Sequence, residues 1–184
     1  MIRSVFNTRT APILTALAGE DPEGRSNDEL AHMRLSAKAR AEGVALLKLA
    51  SVLQYTLYGF PSVFYGDEAG IEGYRDPFCR MPFPWGRENG ELLAHYRLLG
   101  KLRRAHSAFA GGDFRITAHD CGLFAYIRED ANETIHIVLN RASFPIHFDF
   151  GESFTDLVSG EVGSGAAVIE PCGFRIIQVT KKGQ

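Results

Sequence analysis

Cysteine is scarce in this chain of 184 residues: Cys79, Cys121 and Cys172 are the only three, and no two form a C-x-x-C pair. An odd, scattered set makes neither a disulfide framework nor a zinc site. It reads as free thiols in a reducing compartment, each behaving as a small apolar residue, and a cytoplasmic location is expected with it. An excess of one charge sign is also missing. Lys and Arg number 20 and Asp and Glu 22, for a net charge of −2 and a pI near 6.3. A chain without surplus basic charge is poorly suited to track a phosphate backbone, so no nucleic-acid partner is expected. Long apolar runs are absent as well. The nearest approach, Val44 to Tyr58, is interrupted by Lys48, Ser51 and Gln54, whereas a membrane helix needs roughly 18 uninterrupted apolar residues. The opening MIRSVFNTRTAPILTALAG has no h-region or cleavage site, so neither a membrane span nor a secretory signal is expected. His32, His95, His106, His119, His136 and His147 form no HExxH and no ligand-like spacing, and GxSxG and GxxxxGK[ST] do not occur. No metal and no cofactor is expected from such a set.

What is present is ordinary for a globular chain: 45% hydrophobic and 23% charged residues. At this length roughly 70% of the unfolded surface can be buried, enough for one domain or two small ones. Pro12 suits the first turn of a helix running from Thr10 to Gly19, and EDPEGRSNDE (20–29) reads as a polar loop. A helix follows from about Leu30 and is strongest from Ala39 to Leu57. Its apolar positions cover most of the circumference, which predicts burial on more than one side. Gly59 and Pro61 stop it, and Ser62-Val63-Phe64-Tyr65 reads as a short buried strand of the parallel-sheet type. Glu91 to Phe109 is a second helix, ending in Lys101, Arg103 and Arg104, cations that suit its C-terminal dipole. Beyond Ala110-Gly111-Gly112 the period changes. FRIT, LFAYIR, TIHIVLN, PIHFDF, DLVSG, AAVIE and FRIIQV alternate between turn signals, as in an antiparallel sandwich.

The densest stretch is 59–86, GFPSVFYGDEAGIEGYRDPFCRMPFPWG. Its Gly-Phe-Pro-Ser-Val-Phe-Tyr-Gly-Asp-Glu, the following Asp76-Pro77-Phe78-Cys79-Arg80, and Pro-Phe-Pro-Trp resemble the α-amylase family of glycoside hydrolases, on its neopullulanase and cyclomaltodextrinase side. The resemblance implies a fold class of α/β plus all-β: the last βα units of a partial (β/α)8 barrel over residues 1–109, then an antiparallel β-sandwich over 110–184. In such barrels the site lies on the C-terminal face, on the loops that follow the strands. The resemblance places Asp76 and Arg80 against a glucose unit, and Tyr65, Asp67 and Glu68 on the cleft wall or in support of it. Carboxylates and guanidinium groups suit sugar hydroxyls, and rings suit the apolar sugar faces. Asp76 and Arg80 also read as an ion pair that merely fixes the loop. For Asp67 and Glu68 the supporting role is preferred, and for Trp85 packing is preferred over stacking.

The resemblance also implies what the sequence does not supply. Retaining glycosidases need two carboxyl groups about 5–5.5 Å apart. In this family they come from the fourth and fifth strands of a barrel of about 250 residues, and here about 109 residues precede the sandwich. Where the family has a His-Asp ahead of its Ile-Leu-Thr, this chain has Thr8-Arg9. A cation there would repel an oxocarbenium-like centre. No catalytic residue is therefore assigned, and the chain alone is expected to be inactive. The partners expected are an α-glucan or maltooligosaccharide, bound weakly if at all, and self-association or docking to the remaining barrel. A weak glucan-binding or assembly module is the alternative.

Overall fold

The computed structural model describes residues 2–4, 11–19 and 21–180. They fall into two compact units: Met1–Gln54 with Phe60–Arg97, and Tyr55–Gly59 with Leu98–Gln184.

In the first unit, β1 (Ile2–Ser4) and β2 (Phe60–Ser62) pair in parallel, with Ile2 opposite Phe60 and Ser4 opposite Ser62. The strand expected at 62–65 thus lies at 60–62, and Phe60 is exposed rather than buried. The cause is local. The Phe64 amide donates to Asp67 Oδ2 at 3.3 Å, so the chain turns into its loop instead of continuing as a strand. Helix α1 (Ile13–Ala18) starts behind Pro12, as expected. The expected loop at 20–29 in fact contains a helix start: α2 (Asn27–His32) opens on a capping box in which Ser26 and Glu29 satisfy each other's backbone amides. Helix α3 (Ala37–Thr56) is buried along two stripes, Val44, Leu47, Ser51 and Gln54 on one side and Leu49, Val52 and Thr56 on the other. That is the consequence of its all-round apolar pattern. Ile13, Leu14, Val44, Leu47 and Leu92 form the core of this unit. Gly43 lets α1 come close, since a Cβ there would lie 2.9 Å from Leu14 Cδ1.

The second long helix is shorter than the sequence suggests. α4 covers Gly90–Ala105, His106 breaks it with extended angles, and α5 covers Ser107–Gly111. Glu133 explains the break. Its carboxylate takes the Ala108 amide at 3.0 Å and pairs with His106 Nδ1 at 2.7 Å, so it binds the start of a new helix. The cationic end of α4 does more than suit a dipole. Arg103 donates to the carbonyl of Tyr55, an orphan acceptor in the last turn of α3, and to those of Leu57 and Gly59 just beyond it.

The second unit carries β3 (Asp113–Asp120), β4 (Leu123–Glu129), β5 (Thr134–Asn140), β6 (Ile146–Asp156), β7 (Val162–Ile169) and β8 (Phe174–Val179). They form one antiparallel sheet in the order β3-β4-β5-β8-β6-β7. The seven expected segments become six strands. β6 runs on to Asp156, while DLVSG is a turn whose amides at Val158 and Ser159 donate to Asp156 Oδ1. The expected two-layer sandwich is likewise one hydrogen-bonded sheet that curls on itself. Ala125 of β4 and Ile169 of β7, remote in strand order, share one core with Val138, Phe150, Phe154 and Ile177. The bend comes at Gly151, with φ +75, where the β6–β7 register shifts between Asp149 and Ser153. Arg128 on β4 is fully buried. It donates to the carbonyls of Thr56, Gly112 and Asp113 and lies 4.4 Å from the Tyr58 ring centre.

Candidate functional site

The loop after β2 is built on glycine. Gly66 adopts φ +87 and Gly70 φ +69, bracketing a single 3₁₀ turn at Asp67–Ala69. A Cβ on Gly66 would meet Ile71 Cδ1 at 2.1 Å, so only glycine allows this close return of the chain. The Ile71 amide donates to the Gly66 carbonyl at 3.1 Å and closes the turn. Asp67 is buried inside it, its Oδ2 accepting from Phe64. Oδ1 of Asp67 and Oε2 of Glu68 are both buried without a hydrogen-bond partner among the described residues. Burial, reinforced by the neighbouring Glu68 charge, pushes the Asp67 carboxyl up to about 7, against the Phe64 amide that favours its charged form. Asp67 thus faces the interior of the unit, beside Ile13, Leu47 and Tyr96, rather than an open cleft.

The middle of the loop is clamped from below. Ile71, Tyr74 and Cys79 are buried, and the Gly73 amide donates to Thr15 Oγ1 at 3.1 Å. Glu72 accepts from the Leu35 amide at 3.0 Å and pairs with Arg40. Sequence reading missed this anchor, because nothing local links residue 72 to residues 35 and 40. Between the clamps a tight turn, with the Phe78 amide on the Arg75 carbonyl and the Arg80 amide on the Pro77 carbonyl, lifts Asp76 and Arg80 into solvent. They form an ion pair, Arg80 Nε to Asp76 Oδ1 at 2.7 Å, with side chains 51% and 72% exposed for Asp76 and Arg80 respectively. The Asp76–Pro77 peptide is cis. The two residues hold each other and at the same time present an acceptor and a forked donor outward.

Tyr65 is exposed and meets the Phe83 ring edge-on at 5.9 Å between centroids, while Phe83 packs on Trp85 at 4.6 Å. Trp85 is 81% exposed. The preferred reading of Trp85 as a packing anchor fails in this structure, because Phe83 covers only one side of its ring. Thr8 and Arg9, which stand where the resemblance expects His and Asp, lie outside the described residues.

A second polar pair is buried in the same unit: Ser51 Oγ lies 2.8 Å from His95 Nε2. It is not a nucleophile and its base. Ser51 Oγ donates to the Lys48 carbonyl at 2.9 Å, so the imidazole supplies the proton between them. Burial, and next the Lys48 charge, hold His95 down to about 4. Among the described residues no group of three His, Cys, Asp or Glu could hold a metal ion, and no helix is long and apolar enough to cross a membrane.

No family model matches the sequence. Relatives do. The chain is 40% identical over 98 residues to a cyclomaltodextrinase from a Bacillus species, a match over 51% of this chain and 18% of the relative. It is 30% identical over 127 residues to neopullulanase 2 of Thermoactinomyces vulgaris, over 64% of this chain and 22% of the relative. Among solved structures, the cyclic α-maltosyl-(1→6)-maltose hydrolase of Arthrobacter globiformis shares the fold, with a TM-score of 0.72 at 23% identity, covering 98% of this chain and 35% of that one. The chain thus spans about a fifth of the length of the relatives it matches. It is similar to part of the α-amylase-family glycoside hydrolases of the cyclomaltodextrinase and neopullulanase type, as a C-terminal part of such an enzyme would be.

Proposed function

We propose that these residues form the last βα units of a (β/α)8 barrel, over 1–109, and the following C-terminal β domain, over 110–184, of a glycoside hydrolase acting on α-linked glucans such as maltooligosaccharides. The observation that carries this reading is the exposed Asp76–Arg80 pair, held on a loop clamped by Ile71, Tyr74 and Glu72. In the reading, Asp76 accepts from and Arg80 donates to glucose hydroxyls, while Asp67 and Glu68 support the loop and Tyr65 forms wall. The 184 residues by themselves do not break a glycosidic bond. Among the described loop residues Asp67 is buried as a support, Glu72 is tied to Arg40, and Asp76 to Arg80, so these three carboxylates do not form an opposed acid and nucleophile.

A chimera tests the assignment. With residues 11–184 in place of their counterpart in the Bacillus cyclomaltodextrinase, so that the relative's own residues stand where Thr8-Arg9 would, cyclomaltodextrin hydrolysis is expected. Asp76→Ala or Arg80→Ala should then lower kcat/KM by about tenfold or more, the loss of one charge-assisted hydrogen bond. Activity indifferent to both changes would refute the role of the pair. A second reading, self-association or docking to the remaining barrel strands, is favoured by Phe60 and Trp85, 75% and 81% exposed. It requires a mass that rises with concentration in light scattering, and a constant monomer mass would reject self-association.

A further inference from the structure

A cavity of about 390 Å³ opens on the first unit, a volume in the range of small-molecule sites. Its polar lining is unbalanced. Arg34, Arg40 and Arg87 contribute three guanidinium groups, against one carboxylate, Glu72, on a chain whose net charge is −2. Glu72 is already engaged by the Leu35 amide and Arg40. The donors are not. Arg34 uses only Nη1, on the carbonyls of Ala31 and Met33 at 3.0 and 2.7 Å. The Arg87 guanidinium has no partner among the described residues. Asn89 spends Oδ1 on the Leu92 amide at 3.0 Å, which leaves its side-chain NH₂ to donate. Met81 and Pro84 supply an apolar wall beside these groups.

We propose that this cavity binds a phosphate dianion, free or esterified to a sugar. Arg87 and Arg34 hold its oxygens through forked N–H pairs, with the Asn89 amide as a third donor. A dianion with only acceptors matches a lining with surplus positive charge and unspent donors, and guanidinium geometry suits phosphate oxygens two at a time. The cavity is far larger than a bare phosphate, and Met81 and Pro84 give a sugar ring a face to rest on. Neither Asp76 nor Arg80 lines this cavity.

The test uses the 184-residue chain, ¹⁵N-labelled, titrated in turn with inorganic phosphate, glucose 1-phosphate and methyl α-glucoside. Saturable shifts are expected at Gly70, Arg87 and Asn89 with both phosphates and not with the glucoside. Tighter binding of glucose 1-phosphate marks the ester as the ligand, and equal binding marks the free ion. Arg87→Gln breaks no internal hydrogen bond, so the fold persists, and phosphate binding should weaken about tenfold. Arg97→Gln, on an exposed turn of α4, should leave it unchanged. Absence of saturation at high millimolar phosphate, or equal affinity in the Arg87→Gln variant, overturns the proposal.

Discussion

Removing the buried carboxyl of Asp67 should steepen the rise of stability with pH. Asp67 is held up to about 7 from an ordinary 3.8, chiefly by burial. Between those values the folded chain keeps a proton that the unfolded chain has lost, so stability falls as pH rises. The loss is complete above about pH 7 and amounts to about 4 kcal/mol, at about 1.4 kcal/mol for each pH unit. His95 works in the opposite direction. Burial and Lys48 hold it down to about 4 from 6.5, so the unfolded chain takes up the proton first and stability falls as pH drops through that window, by about 3 kcal/mol. The two act over nearly the same range and largely cancel, so between them they add little slope from pH 4 to 6.5, while His136, also held below its ordinary value by burial, adds a slope in the sense of His95. In Asp67→Asn the histidines act unopposed, and the climb in stability from pH 4 to 6.5 should exceed that of the intact chain by about 3 kcal/mol. Urea unfolding followed by far-UV circular dichroism at a series of pH values reads this directly. Parallel profiles for the intact chain and Asp67→Asn would refute the burial argument for Asp67, and a flat profile in Asp67→Asn would refute it for His95.

Arg128→Met should cost about 3 kcal/mol or more in urea unfolding, because the carbonyls of Thr56, Gly112 and Asp113 lose their buried donor; a cost under 1 kcal/mol would contradict that role. Gly66→Ala puts a Cβ at φ +87 and against Ile71, so amide exchange over residues 64–71 should accelerate and the chain lose about 2 kcal/mol; unchanged exchange would contradict it. Asp76→Asn, by contrast, breaks an exposed ion pair, and its effect on stability should stay within about 0.5 kcal/mol. A larger loss in thermal unfolding would mean that the pair holds the loop and is not free to bind.

What could be read from sequence was what local chemistry decides. β5 and β8 lie where TIHIVLN and FRIIQV place them, since alternation and flanking turns act within a few residues. The two-sided burial of α3 and the resemblance carried by residues 59–86 were legible for the same reason. The Ser26–Glu29 capping box was also legible, but its polar composition hid it inside a stretch read as loop. Other features depend on partners far along the chain. Glu133 splits the helix at His106, and Glu72 finds Arg40 and Leu35. No periodicity encodes such pairings. The curl that joins β4 and β7 in one core follows from the Gly151 bend in β6, which made one strand of what looked like separate segments.

The most direct measurement is reducing-end release from maltooligosaccharide and cyclomaltodextrin by the purified 184-residue chain. None is expected, since Asp67 is buried, Glu72 is paired with Arg40 and Asp76 with Arg80. Turnover that copurifies with the chain and disappears on Asp76→Ala would contradict it.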